Sequence, residues 1–102
     1  LNDDEIVVIP MVNPDGFVYS GREDRLWRKN MRDNGSNRTV MNCNGVDLNR
    51  NFPTDWNGTG STSTDICSEV FVGPAAASEP ETQAVMSVID EGNVDLHLDY
   101  HS

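Results

Sequence analysis

Long apolar runs are missing from this sequence. None approaches the roughly 18 residues that a membrane-spanning helix needs. The first residues, LNDDE, lack the basic-then-apolar pattern of a signal peptide. The chain does not begin with Met, which fits a processed protein and an excised piece equally well. Positive charge is scarce: seven basic residues face seventeen acidic ones, for a net charge of −10. That balance opposes nucleic-acid binding, which rests on cationic contacts to phosphate. It also opposes docking on anionic membranes, and it says little about fold. Cysteine is sparse. Cys43 and Cys67 are one pair, too far apart in sequence for a structural zinc site. The length of 102 residues fits one domain or a piece of one.

The elements are unevenly distributed. Ile6-Val7-Val8-Ile9 is a β-branched run that predicts a buried strand ending near Pro10. Asn13-Pro14-Asp15-Gly16 predicts a turn. Residues 33–64 are rich in Asn, Gly, Ser, Thr and Asp and predict a long irregular stretch, of the kind that is usually functional. Three Asn-x-Ser/Thr sequons occur there, at Asn34, Asn37 and Asn57, and favour an extracellular protein. Ser78-Glu79-Pro80-Glu81 has the pattern of a capping box. Ala84, Val85, Val88 and Ile89 follow at helical spacing, and Gly92 stands where a C-cap is expected. A helix is predicted from about Glu79 to about Glu91. Val94, Leu96, Leu98 and Tyr100 then alternate with polar residues, which predicts a strand. The order implies an α/β architecture: a fragment of a mixed β-sheet with a crossover helix and long irregular loops.

Few residues offer chemistry. His97 and His101 have the i, i+4 spacing of a helical zinc motif. On a helix their Cβ atoms would lie about 5–6 Å apart. On a strand, at ~3.3 Å per residue, they would be about 13 Å apart, too far for one zinc bound at about 2 Å. The local pattern reads as strand, and Leu98 stands where a helical metalloprotease carries its Glu. At most one of the two then serves a given metal. Asn49 and Arg50 are adjacent in a polar loop that ends on Phe52. Such an Arg ordinarily sits in solvent. With a neighbouring amide, however, a planar guanidinium can hold a carboxylate through parallel hydrogen bonds. Arg22, Arg25, Arg28, Arg32 and Lys29 gather around Trp27. They form either a charged surface or a cation aimed at developing negative charge.

Seven strings, in order, carry a resemblance. They are Asn13-Pro-Asp-Gly16, Arg25-Leu-Trp-Arg-Lys29, Gly45-Val-Asp-Leu-Asn-Arg-Asn-Phe52, Cys67-Ser-Glu69, Gly73-Pro74, Ser78-Glu-Pro-Glu-Thr82 and Leu98-Asp-Tyr-His-Ser102. Together they resemble the zinc metallocarboxypeptidases of the pancreatic A/B type. The resemblance covers nearly the whole chain and identifies residues 1–102 as the central, incomplete portion of such a catalytic domain. It implies a zinc-dependent exopeptidase acting on the C-terminus of peptides and proteins. By resemblance His101 is a zinc ligand, Arg28 the oxyanion arginine, and Asn49 and Arg50 the grip on the substrate's terminal carboxylate. Asp47 corresponds to a carboxylate that orients a zinc-bound histidine, as is usual at such sites. Cys43 and Cys67 correspond to a disulfide across the long loop, and His97 to no ligand.

The resemblance also implies what this chain lacks. The family's His-x-x-Glu pair lies before the Asn-Pro-Asp-Gly string, and its catalytic glutamate lies after the His-Ser string. Catalytic zinc needs three protein ligands; one is expected here, so the isolated chain is expected to bind zinc weakly and to be inactive. A carboxypeptidase-like peptide-binding domain without catalysis is the alternative reading. A third reading, zinc held by His97 and His101, requires residues 94–101 to be helical. Sheet edges cut from their neighbours would need cover from the rest of the protein or by self-association.

Overall fold

The computed structural model describes residues 4–35 and 41–101. The sequon at Asn37 and the terminal Ser102 lie outside the described residues. Two α-helices are present, α1 (Pro14–Arg22) and α2 (Pro80–Gly92), with single 3-10 turns at Met41–Cys43 and Leu48–Arg50. No helix among the described residues is long and apolar enough to cross a membrane.

Helix α1 occupies the place where a turn was expected. The same residues serve both ends: Asn13 caps the helix by accepting from the Gly16 amide at 3.0 Å, and Pro14 opens the first turn. The Asn13 Nδ2 donates onward to the Lys29 carbonyl at 3.0 Å, which fixes α1 against the following segment. Tyr19 on α1 meets Trp27 edge to face, with centroids 4.8 Å apart.

Helix α2 falls close to its predicted bounds, but its ends differ. The capping box does not form. Glu79 is the N-cap residue and makes no side-chain cap bond. Its carboxylate turns inward instead, taking the Ser78 hydroxyl at 2.6 Å, while Glu81 accepts from Asn30 at 3.2 Å. A buried acid with strong donors nearby is better satisfied there than by a helix amide. At the other end Gly92 is the last helical residue, and Asn93 takes the left-handed conformation (φ 47°) that Asn tolerates. Of the expected apolar stripe only Val85 is buried, together with Thr82; Val88 and Ile89 are half-covered and Ala84 is exposed.

The predicted strands at 6–9 and 94–101 do not form, and there is no sheet among the described residues beyond one parallel bridge between Ser63 and Phe71. The flanking segments carry apolar side chains into solvent: Ile6 is 86% exposed, Leu96 74% and Tyr100 90%. A strand is stable only when its backbone N–H and C=O groups find a neighbour. Neither segment finds one among the described residues. The sequence alternation records a suitable environment and cannot supply it.

The core is small and mixed. Cys43, Val46, Phe71, Val72 and Val85 form its apolar part, and Lys29, Asn30, Asp47, Asn51, Glu79 and Thr82 are buried beside them. The Cys43–Cys67 disulfide is formed across the long loop, as expected. Closing a loop of this size contributes on the order of 3 kcal/mol in the chain-entropy model.

Candidate functional site

The site is built on residues 45–51. Gly45 adopts φ +80°, and a Cβ there would run into the Asn30 carbonyl and the Lys29 side chain. Only glycine lets the chain pass so close while turning left-handed. Val46 follows, fully buried; its carbonyl accepts from the Asn30 amide, and its own amide donates to Asn30 Oδ1. Asp47 then caps the Leu48–Arg50 turn by accepting from the Asn49 amide at 3.2 Å. Its other oxygen takes Nη2 of Arg28 at 2.8 Å. Asp47 is 3% exposed at its side chain and Arg28 45%. Two predicted site residues are thus paired, and within this chain the Asp47 carboxylate is engaged by a guanidinium and an amide.

Asn51 anchors the turn. Its side chain is fully buried and donates to the Val72 carbonyl (2.9 Å), the Ala75 carbonyl (3.1 Å) and the Ser78 hydroxyl (3.0 Å). Its Oδ1 accepts from the Glu79 amide at 3.1 Å. Glu79 in turn accepts from Asn30 (2.8 Å) and pairs with Arg32 (3.0 Å). This network joins the start of α2 to the turn that carries Asn49 and Arg50. Polar groups buried this deeply must be fully partnered, so the network fixes one arrangement.

Lys29 pins the disulfide. Its ammonium donates to the carbonyls of Asn42 (2.7 Å) and Ile66 (3.1 Å), the residues just before Cys43 and Cys67. It also lies 5.5 Å from the Trp27 ring centre. Burial pushes the Lys29 ammonium below the usual lysine range, against the raising influence of Glu69, Asp47 and Asp65.

Asn49 and Arg50 line one side of an open concavity of about 340 Å³, with Phe52, Trp56 and Asn57 among the other walls. Arg50 donates from Nε to the Ser61 carbonyl at 2.7 Å and from Nη1 to the Asn49 carbonyl at 3.3 Å. Those bonds orient the guanidinium and leave its remaining N–H groups for a ligand. Within the lining Asp55 is the sole acid, and hydrogen bonds from Thr59 hold its carboxyl below the usual range. A second, shallower depression of about 380 Å³ runs along α2 past Asp90 and Glu91. Its lining has two carboxylates and no cation, so it does not suit an anionic ligand.

His101 lies apart from these contacts. Its ring is 61% exposed and its Nε2 faces Asp99 Oδ2 at 3.1 Å. A histidine beside a carboxylate suits one position of a zinc site. Among the described residues, however, no three His, Cys, Asp or Glu side chains converge for a metal. The described residues thus hold no assembled three-ligand metal site, and His101 would serve as a single ligand in a larger set. Residues 94–101 are not helical, so the reading in which His97 and His101 share a metal is not supported. The organising roles of Asn51, Asn30 and Lys29 were not foreseen. Asn51 and Lys29 stood inside the diagnostic strings but were given no role, because burial is not visible in a polar residue's identity.

In sequence and in fold the chain is similar to known zinc carboxypeptidases. The zinc carboxypeptidase family model matches residues 1–102. A metallocarboxypeptidase A-like protein of Trichophyton verrucosum is 44% identical over 96% of this chain and 23% of its own length. Carboxypeptidase B of Astacus astacus is 38% identical over 100% of this chain and 33% of its own length. The solved structure of bovine thrombin-activatable fibrinolysis inhibitor, in complex with tick carboxypeptidase inhibitor, superposes with a TM-score of 0.71. It is 41% identical and is matched over 82% of this chain and 27% of that one. Carboxypeptidase A from Helicoverpa armigera gives a TM-score of 0.67 at 43% identity, over 81% of this chain and 19% of that one. The chain thus spans a third or less of the length of these relatives. On sequence and fold together, it belongs to the zinc carboxypeptidase family.

Proposed function

We propose that the protein carrying this chain is a secreted, zinc-dependent exopeptidase that releases C-terminal amino acids from peptides and proteins. The observation that carries this reading is the shared concavity of Asn49 and Arg50, held in place by buried Asn51 and by Asp47. Arg50 would take the substrate's terminal carboxylate in two parallel hydrogen bonds, and the exposed Asn49 amide would add another. A free α-carboxylate is found only at a chain's C-terminus, so a grip on that group would select exopeptidase chemistry. Arg28 is tethered at Nη2 to Asp47, and the rest of its half-exposed guanidinium can meet negative charge developing on the scissile carbonyl. His101 would supply one zinc ligand, with the other ligands coming from outside these 102 residues. Zinc, when bound, supplies Lewis-acid polarisation and a nucleophile at neutral pH. Secretion is supported by the disulfide and by the sequons. The isolated chain is expected to bind zinc weakly and to release no amino acids.

Kinetics of the whole enzyme test the assignment. Arg50→Ala should mainly raise KM, by roughly 10–100-fold, the cost of losing hydrogen bonds to a charged group. Arg28→Ala should mainly lower kcat, by on the order of 100-fold. Equal effects on both parameters in both variants would contradict the two roles.

A further inference from the structure

We propose that of the two sequon asparagines in the described residues Asn57 carries the N-glycan and Asn34 does not, and that this glycan screens the concavity of Asn49 and Arg50 from bulky substrates. The two asparagines differ in what their amides already do. Asn34 is half-buried, and its Nδ2 donates to the carbonyls of Cys43 and Gly45, both at 3.1 Å. Those bonds use both amide hydrogens and brace the segment between the disulfide and the site. A sugar on Nδ2 replaces one hydrogen, so a chain modified there loses one of the two bonds and crowds a partly buried position.

Asn57 is exposed, and its side chain makes no hydrogen bond among the described residues. It sits at φ 54° on a tight turn whose geometry Asp55 fixes. The Gly58 amide donates to the Asp55 carbonyl at 2.9 Å. The Thr59 amide and hydroxyl both donate to Asp55 Oδ2, at 3.1 and 2.7 Å. The turn therefore stands without the Asn57 amide. Asn57 also lines the concavity that holds Arg50. A bulky polar chain rooted there would occupy solvent at the mouth and restrict what approaches.

The covalent step is amide glycosylation from a lipid-pyrophosphate-linked oligosaccharide. Asn57 Nδ2 forms a bond to the anomeric carbon as the bond from that carbon to the pyrophosphate oxygen breaks. The lipid pyrophosphate leaves, and the amide proton passes to a base. No oxidant or reductant is involved.

The first test does not depend on activity. The whole protein, with Asn37→Gln to simplify mapping, is secreted from a eukaryotic host and treated with peptide-N-glycosidase in heavy-oxygen water. Mass spectrometry should find isotope-labelled Asp at position 57 and unmodified Asn at position 34. A labelled residue 34 in the folded, secreted protein, or an unlabelled residue 57, overturns the assignment. The screening role rests on the proposed exopeptidase reading and is tested separately, by trimming the glycan from the native protein. KM for a folded protein substrate should fall several-fold, with KM for a short blocked dipeptide unchanged. Equal changes for both substrates, or none, overturn the screening role. Activity on neither substrate removes that role together with the exopeptidase reading, while glycan occupancy is decided by mass alone.

Discussion

The middle of this chain and its two flanks both carry patterns that predict regular structure, yet they behave differently. Residues 29–35 and 41–85 are held by a buried polar network, one disulfide and a small apolar cluster. Residues 4–12 and 94–101 hold the more strongly apolar segments and are exposed throughout most of their length. The difference shows that hydrophobicity alone does not organise a segment. The middle carries its own hydrogen-bond partners, whereas the flanks need partners from elsewhere. The Asn-, Asp- and Ser-rich stretch is fixed here because the buried Lys29, Asn30 and Asn51 side chains each meet named partners.

That contrast can be broken at specific positions in the 102-residue chain, read out by urea denaturation. The largest effect is expected from Asn51→Ala. It removes the hydrogen bonds to the Val72 and Ala75 carbonyls, the Ser78 hydroxyl and the Glu79 amide, and should cost roughly 3–5 kcal/mol. Cys43→Ala with Cys67→Ala comes next, at on the order of 3 kcal/mol from restored chain entropy. Leu96→Thr should change stability least, within about 0.5 kcal/mol, since Leu96 is 74% exposed. In the whole protein the same Leu96→Thr should cost about 2 kcal/mol if a neighbouring strand covers it. A large effect of Leu96→Thr in the isolated chain would erase the distinction between the regions.

Much of the site was legible in the sequence, and less of the fold. Residue type makes adjacent Asn49 and Arg50 compatible with an anion grip, the family resemblance singles them out for it, and the structure sets both on one concavity. The pairing of Cys43 with Cys67 followed from the family resemblance and is present. Helix α2 was readable because periodicity and a first-turn Pro are local signals. The inward turn of Glu79 was not, since it depends on Asn30 and Arg32, some fifty residues away. Helix α1 was missed because Asn-Pro-Asp-Gly serves turns and helix starts alike. The expected strands are not seen here for a nonlocal reason: alternation at 94–101 and the β-branched run at 6–9 imply a sheet only when neighbours exist.

The central claim is that Arg50, with Asn49, recognises a free terminal carboxylate. Its most direct test is the ratio of kcat/KM for a peptide with a free C-terminus to that for its C-terminal amide, in the whole enzyme and in Arg50→Ala. The account predicts a strong preference for the free acid in the native enzyme, and a ratio close to one in the variant. An unchanged ratio in Arg50→Ala would contradict it.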